Sequence, residues 1–333
     1  MTPTMRAVVL DGPGPVSALT VRELQIPAAE PGWVLIKVMA FGLNRSEVFT
    51  RLGYSGDAVT YPRVLGIEAT GSVEAAPGGE LVPGQQVVAL MGGMGRTYDG
   101  GYADYTCVPA SQVVPFTSAL PWATLGAVPE MLQTAYGSLT VGLDLQPGQS
   151  LLVRGGTSSV GMAAAALAKN LGATVLSTTR NTAKTDPLIR VGVDHVIVDD
   201  GEIARRVRHL VPGGVHAALE LVGTNTLPDT LRATRVHGTV CFTGMLSGIW
   251  TIPDFYPMDV IPNGVRLTAY SGEADDLPAH VLQSYLDDVA AGRATVPIDR
   301  TFTLGQLPEA HALMESGRTA GKLVVLTDAG TIG

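Results

Sequence analysis

The sequence predicts an α/β protein that combines a doubly wound parallel sheet with a second, mostly β domain. Two observations carry this prediction. Between about residues 123 and 270, short apolar runs alternate with helical stretches, the pattern of a parallel sheet covered by helices on both faces. Before about residue 120, short strand-like runs are separated by turn residues, and few helical periods occur. A chain of 333 residues is long enough for two such domains.

The first part of the chain is predicted to be a set of short strands joined by tight turns. Pro-Gly pairs at 31–32, 77–78 and 83–84 mark the turns. The strand-like runs around them are Ala7–Leu10, Val34–Met39, Gly71–Ala75 and Gln86–Leu90.

The central part is predicted to alternate between strands and helices. Its helical stretches cover residues 161–171, 201–211 and 225–234. The apolar runs that separate them are short enough to be buried strands: Ser150–Val153, Ala173–Ser177, His195–Val198, His216–Val222, Gly238–Thr243 and Val265–Tyr270.

The last part, after residue 271, is predicted to return to the first domain. It contains a helix over 276–291, a strand over 297–303, a helix over 307–317 and a closing strand, Lys322–Leu326. We therefore expect residues 1–122 and 266–333 to form one domain, with residues 123–265 inserted as a nucleotide-binding domain.

Composition and charge argue against several classes of function. The net charge of −8 argues against nucleic acid or an anionic membrane as the main partner. No stretch approaches the ~20 apolar residues of a membrane span, and the start leads into a strand and not a signal peptide. Two cysteines, Cys107 and Cys241, cannot build a disulfide framework, which fits a reducing cytoplasm.

A glycine-rich loop follows the strand Ser150–Val153. Read against G-x-G-x-x-G, its slots are Gly156, Ser158 and Gly161, so a serine replaces the middle glycine. Small residues let backbone N–H groups approach a pyrophosphate, and the following helix directs its positive end there. The position between a strand and a helix predicts a Rossmann-type dinucleotide site, with an ordinary glycine turn as the alternative.

The residues at the end of the second strand of this unit predict which coenzyme binds. An NAD site places an acid ~20 residues past the loop to accept the ribose 2′-hydroxyl, yet no acid lies between residues 160 and 185. Arg180 and Lys184 stand there instead, with Thr178 and Thr179 beside them, a set suited to a 2′-phosphate. NADPH is therefore predicted; the alternative is that both cations are solvated loop charges.

The histidines are distributed in a way that argues against zinc. All six lie beyond residue 194, and the first 194 residues contain one cysteine. Catalytic zinc needs three protein ligands and structural zinc needs four. The sequence provides neither set, so we expect metal-free chemistry.

Several segments together resemble a known family over nearly the whole chain, and none of them is specific alone. They are Gly42–Glu47, Pro62–Gly71, Gly84–Val88, Gly100–Tyr105, the loop 155–161 and Gly321–Val324. With them the chain resembles the zinc-independent quinone oxidoreductase branch of the medium-chain dehydrogenase/reductase superfamily. The resemblance implies a GroES-like catalytic domain beside the Rossmann domain.

The resemblance also shows where zinc ligands are missing. In zinc-dependent relatives a catalytic cysteine falls where Asn44 stands and a ligand histidine where Ile67 stands. Thr157, Ser158 and Ser159 depart mildly from a loop that is richer in Ala and Gly in this branch.

Cofactor contacts are implied by the same resemblance. Ser159, Val160 and Gly161 would face the pyrophosphate, while Thr179, Arg180 and Lys184 would hold the adenosine phosphate. The nicotinamide half would be held by Asn44 at its ribose, by Thr134, and by a closing set that comprises Val222, Phe242, Thr243, Gly244, Met245, Ser247, Ser271 and Lys322.

The expected reaction is hydride transfer from NADPH to a quinone or another conjugated carbonyl. Tyr54 is the candidate proton donor, with solvent as the alternative, and Arg45 is a candidate for orienting a carbonyl oxygen. Two other functions stay open: reduction of an enone or enoyl double bond in a biosynthetic pathway, and a low-turnover NADPH-binding role, structural or regulatory. Pairing of the strands near 238–243 and 265–269 with those of a second copy, across a twofold axis, would give a homodimer like those of the family.

Overall fold

The computed structural model describes residues 3–332 and divides the chain into two compact units. The first unit runs to Glu130 and resumes at Glu273, and the second spans Met131–Gly272. Within residues 3–332, no helix combines the length and the apolar character that crossing a membrane would need.

Both units contain strands. In chain order they are β1 (Thr4–Leu10), β2 (Thr20–Gln25), β3 (Trp33–Gly42), β4 (Arg63–Val64), β5 (Glu68–Ala75), β6 (Gln86–Leu90), β7 (Tyr105–Pro109), β8 (Val113–Pro115), β9 (Ser150–Arg154), β10 (Thr174–Thr179), β11 (His195–Val198), β12 (Val215–Glu220), β13 (Thr234–Phe242), β14 (Arg266–Ala269), β15 (Ile298–Thr303) and β16 (Lys322–Leu326).

The helices follow the same order, and short 3-10 turns link several of them. They are α1 (Arg45–Arg51), α2 (Trp122–Ala127), α3 (Pro129–Gly137), α4 (Ser159–Asn170), α5 (Thr185–Arg190), α6 (Ala204–Leu210), α7 (Leu227–Ala233), α8 (Pro257–Val260), α9 (Ala279–Ala290), α10 (Leu307–Glu315) and α11 (Asp328–Ile332).

The second unit is built on a parallel sheet with the strand order β11-β10-β9-β12-β13-β14. Numbered within the unit, this order is 3-2-1-4-5-6, that of a dinucleotide-binding doubly wound fold. The chain reverses direction across the sheet between β9 and β12, and ligands of such folds bind beyond the carboxyl ends of the strands at this point. The predicted Rossmann-type sheet is confirmed.

The strands of this sheet are apolar because helices cover both faces. Leu151, Leu152 and Val153 of β9 are fully buried, as are Ala217 to Leu219 of β12 to within one percent. Burial of one such side chain contributes about 1.5–3 kcal/mol, so the central strands fix the frame on which the loops at their carboxyl ends rest.

The first unit is a β-rich body with mainly antiparallel pairing. Its larger sheet has the order β15-β16-β3-β5-β6-β8, with β7 also paired to β3, and a smaller sheet has the order β2-β1-β4. Phe41 stacks on Tyr102 in its core, with ring centroids 4.9 Å apart. The return of residues 298–326 to this body matches the expected GroES-like domain with an inserted nucleotide-binding domain.

The observed boundaries differ from the predicted ones at 122/123 and 265/266. The strand Arg266–Ala269 is the sixth of the parallel sheet and pairs with β13 from Thr239↔Arg266 to Phe242↔Ala269. A boundary at 265 would separate this strand from its only neighbour among residues 3–332. Pairing along the whole strand therefore moves the junction to Gly272.

Candidate dinucleotide site

The phosphate loop owes its shape to the serine that replaces the middle glycine. Ser158 is the N-cap of α4: its Oγ accepts a hydrogen bond from the amide of Gly161 at 3.0 Å and donates one to the carbonyl of Gly155 at 2.9 Å. The amides of Ser159 and Val160 lie in the same first turn, where backbone donors have no intrahelical acceptor. These donors and the helix dipole suit a pyrophosphate.

Two glycines of the loop, Gly156 and Gly161, are required by close packing. A Cβ on Gly156 would lie 1.7 Å from the Oγ of Ser177 on β10. A Cβ on Gly161 would lie 2.8 Å from the carbonyl oxygen of Gly155. Both contacts are shorter than real Cβ atoms tolerate, so the loop keeps its course only with glycine at these positions.

A cavity of about 420 Å³ opens at the carboxyl ends of β9, β10, β11 and β12. Its lining includes six residues from the predicted cofactor set: Thr157, Thr178, Thr179, Arg180, Val222 and Ser247. Seven others complete it: Gly155, Asp199, Asp200, Gly201, Asn225, Thr226 and Leu246. Its position is the one at which this fold takes a dinucleotide, so the residues fit such a cofactor.

The two acids of this cavity are paired with arginines. Asp199 forms a bidentate pair with the buried guanidinium of Arg154, with distances of 2.9 Å and 3.0 Å. Burial alone would raise the pKa of Asp199, but the hydrogen bond and charge of Arg154 outweigh it and lower that pKa. Asp200 pairs with Arg206 on α6.

The predicted cations follow β10 directly. Arg180 is exposed, lines the cavity, and has no ion pair or side-chain hydrogen bond with any described residue. Lys184 is half-buried at the end of a 3-10 turn, Thr182–Lys184. An unpaired guanidinium beside two neutralised acids suits an additional phosphate.

The other predicted contacts of this unit lie outside the cavity lining. Thr134 is half-buried on α3 and donates to the Oε1 of Gln133 at 3.1 Å. Phe242 ends β13, and the half-buried Thr243, Gly244 and Met245 follow it. Ser271 is exposed.

In the first unit, Asn44 is the centre of a buried hydrogen-bond network. It caps α1, its Nδ2 donates to Glu68 at 2.9 Å and to Glu47 at 3.2 Å, and its Oδ1 accepts from Lys322. Glu47 also accepts from the amide of Ile67 at 3.1 Å. Burial raises the pKa of Glu47 to about 7 against these hydrogen bonds.

Lys322 was expected to face the nicotinamide, but the structure commits its ammonium to other groups. Its Nζ lies 2.9 Å from the Oε1 of Glu68 and 3.1 Å from the Oε2 of Glu130, and it donates to Asn44. Burial would lower the pKa of Lys322, but the two carboxylates outweigh it and raise that pKa. The ammonium of Lys322 has three N–H donors, and each of its three partners supplies one acceptor. Lys322 can therefore act on the site only through these partners.

The other two candidates for catalysis lie at and just after α1. Tyr54 is 66% exposed, with its ring 6.1 Å from that of Phe49. Arg45 is the first residue of α1 and is half-buried.

The residues at the zinc positions of the resemblance do not fit a zinc ion. The amide of Asn44 is engaged on both of its atoms, and Ile67 has no donor. Within residues 3–332, no cluster of three or more His, Cys, Asp or Glu side chains could hold a metal ion.

The sequence analysis missed the acids of the cavity and both buried networks. Asp199 and Asp200 directly follow a predicted strand, so the rule that ligands bind at carboxyl ends could have found them. Arg154, a charge at the end of an apolar strand, was a second available signal.

The second unit combines a 3-2-1-4-5-6 sheet, a capped phosphate helix and a cavity lined by an exposed cation. Together with a GroES-like body, these features are typical of nicotinamide-dependent oxidoreductases. Comparison with known families agrees. The family described as "Alcohol dehydrogenase GroES-like domain" matches residues 30–118, and "Zinc-binding dehydrogenase" matches residues 191–325. Both matches agree with the resemblance of the chain to the quinone oxidoreductase branch of the medium-chain dehydrogenase/reductase superfamily.

Similar proteins include a probable quinone oxidoreductase of Schizosaccharomyces pombe, 28% identical with 94% of each chain covered. A 2-haloacrylate reductase of Burkholderia is 25% identical, with 98% of this chain and 99% of the relative covered. A mycobacterial protein solved in complex with NADPH is 25% identical, with a TM-score of 0.84 over 97% of this chain and 99% of that one.

A much larger relative is a phenolphthiocerol/phthiocerol polyketide synthase subunit of Mycobacterium tuberculosis, 29% identical over 95% of this chain. The chain spans only 14% of the length of that protein.

Proposed function

We propose that this protein is an NADPH-dependent reductase that transfers hydride to a quinone or another conjugated carbonyl without zinc. The observation that carries the proposal is the cavity at the carboxyl ends of β9–β12, where both acids are neutralised and Arg180 has no partner among the described residues. Bound NADPH would supply the hydride. The chain has to hold the cofactor, orient the acceptor and provide for a proton.

The adenosine half would be held by the second unit. The amides of Ser159 and Val160 would take the pyrophosphate, and Arg180 and Lys184 the 2′-phosphate. The NADPH complex of a structural relative supports this coenzyme.

The nicotinamide half would be oriented by the remaining predicted residues. Thr134, Val222 and the Phe242–Ser247 turn would line its path, with Ser271 beside them. Asn44 is the residue that we propose for the nicotinamide ribose, and its amide is fixed by Glu47, Glu68 and Lys322.

The reduced product also needs a proton. The hydroxyl of Tyr54 is the proposed donor: it is solvent-exposed and has no hydrogen-bond partner among the described residues. A general acid contributes about 10²–10⁴ in rate. Tyr54→Phe would therefore lower kcat with little effect on the Kd for NADPH, whereas unchanged kcat would make water the donor.

A conjugated acceptor follows from the chemistry of a site without a Lewis acid. A simple carbonyl needs its developing negative charge stabilised. Quinones and α,β-unsaturated carbonyls spread that charge over their own atoms. The named quinone oxidoreductase relative supports this acceptor class.

Reduction of a conjugated carbon–carbon double bond is the second candidate, and the 2-haloacrylate reductase relative favours it. The test is NADPH oxidation against a panel of quinones, enones, enoyl thioesters and aldehydes, with products identified by mass spectrometry. Hydroquinone formation supports quinone reduction, and saturation of the α,β bond with inert quinones supports the second candidate. Tight NADPH binding without turnover would leave only a binding role.

Assembly and location belong to the same proposal. β14 ends the parallel sheet and pairs only with β13 among residues 3–332, so its outer edge could meet that of a second copy in a homodimer. Sedimentation equilibrium would test this. Cys107 and Cys241 are free thiols, consistent with the cytoplasm.

A further inference from the structure

A charged side chain ends the most buried strand of the parallel sheet. Arg154 is the last residue of β9, directly before the phosphate loop, and its side chain is completely buried. Its Nη1 donates to Asp229 at 2.9 Å, to the hydroxyl of Thr230 at 3.1 Å and to the carbonyl of Thr226 at 3.0 Å. Its Nε and Nη2 are directed at Asp199. Arg154 thus links β9 to the residue that follows β11 and to the first turn of α7.

Both oxygens of Asp199 accept hydrogen bonds. Asp199 takes two hydrogen bonds from Arg154, at 2.9 Å and 3.0 Å, and one from the amide of Gly201 at 2.9 Å. An ionised carboxylate offers about four lone-pair sites. Asp199 therefore lines the cavity with three of these sites filled and with its charge paired to Arg154.

This arrangement bears on how the cavity chooses its coenzyme. In dinucleotide sites an available acid binds the ribose 2′-hydroxyl of NAD and repels the 2′-phosphate of NADP. Asp199 is an acid in the same cavity as Thr178, Thr179 and Arg180. Its pairing with Arg154 removes both effects.

We propose that Arg154 is a positioning residue for coenzyme specificity: by binding Asp199 on both oxygens, it prevents that acid from accepting a ribose hydroxyl or opposing the 2′-phosphate. The inference rests on the proposed use of NADPH. The role of Arg154 differs from that of the cations proposed to contact the phosphate, because its side chain is buried and does not line the cavity.

The neighbouring charges support this assignment. Asp200 is paired with Arg206, and Glu220 accepts from the amides of Val222 and Gly223 at 2.7 Å and 3.1 Å. The exposed Arg180 lines the cavity without a partner among the described residues, so it can act on the ligand at this rim. Removing Arg154 would return a negative charge to that rim.

The experiment measures the Kd values of NADPH and NADH by titration calorimetry at pH 8 for four proteins: wild type, Arg154→Met, Asp199→Asn and the double variant. Arg154→Met is expected to weaken NADPH about tenfold, about 1.4 kcal/mol, and NADH by much less. Asp199→Asn is expected to tighten NADPH a fewfold with no loss for NADH. The double variant is expected to recover the preference for NADPH.

Several results would overturn the proposal. Equal losses for both coenzymes in Arg154→Met, or no recovery in the double variant, would reduce Arg154 to a structural role. If Arg154→Met does not fold, Asp199→Asn decides: a selective loss of NADH affinity would show that Asp199 does bind the ribose.

Two controls separate this inference from the function on which it rests. A wild type with no preference for NADPH would reject the coenzyme assignment itself, whereas a preference that Arg154→Met leaves intact rejects only the inference. Arg6→Met is the matched control, because Arg6 also makes a bidentate pair, with Asp104 in the first unit at 3.1 Å and 3.0 Å. Both Kd values should stay unchanged in it.

Discussion

Replacing Lys322 by methionine should destabilise the first unit more than any exposed charge could. The ammonium is completely buried and lies 2.9 Å from the equally buried Glu68. Removing one member of such a pair costs about 3–5 kcal/mol, because the remaining carboxylate keeps its desolvation penalty without a counter-charge. At roughly 2–4 °C per kcal/mol for a unit of this size, Tm should fall by about 10 °C. Differential scanning calorimetry and urea unfolding would measure both quantities.

A second substitution distinguishes the charge from the shape of the side chain. Adding Glu68→Gln to Lys322→Met removes the buried carboxylate of Glu68 and should recover part of the loss, although the ion pair of Lys322 with Glu130 stays broken. Lys169→Met is the matched control: its pair with Asp194 at 2.6 Å is largely exposed, so about 1 kcal/mol or less is expected. A cost below about 1 kcal/mol for Lys322→Met, or additive losses in the double variant, would refute the reasoning.

Three other outcomes follow from the site. The double variant Arg180→Ala, Lys184→Ala should raise the Kd for NADPH about tenfold or more and the Kd for NADH little. Equal losses of affinity would reject the 2′-phosphate assignment, and Arg190→Ala, at an exposed position, is the control. Prolonged chelation should leave kcat unchanged; activity that is lost and then restored by zinc would contradict metal-free chemistry. Burial raises the pKa of Glu47 to about 7 in the folded state, so the folded protein holds a proton that the unfolded chain releases. The free energy of unfolding of the wild type should therefore fall by about 3 kcal/mol between pH 4.5 and 7, relative to that of Glu47→Gln. Parallel pH curves for the two proteins would show that the carboxyl is not perturbed.

The parallel sheet and its phosphate loop could be predicted because their signals are local. Strand, small-residue loop and helix lie within residues 150–170, and hydrophobic period and loop composition agree there. The role of Ser158 as N-cap could also have been read from its position before a helix. The helix begins at Ser159, at the end of the small-residue loop.

The buried charge networks could not be predicted in the same way, because their members are distant in sequence. Asn44 and Lys322 are 278 residues apart, and Arg154 and Asp229 are 75 apart. Whether a lysine contacts a ligand or pairs with buried carboxylates depends on tertiary packing. Sequence reasoning therefore singled out Lys322 but could not predict its contacts with Glu68, Glu130 and Asn44.

The separation between Lys322 and its acceptors also has a consequence for biosynthesis. Glu68 and Glu130 leave the ribosome long before residue 322, with the whole of Met131–Gly272 translated in between. Until β16 pairs with β3, these carboxylates have no ammonium to neutralise them and cannot be buried as ions at acceptable cost. Completion of the first unit should therefore come only after the inserted unit has been translated and has had time to fold on its own.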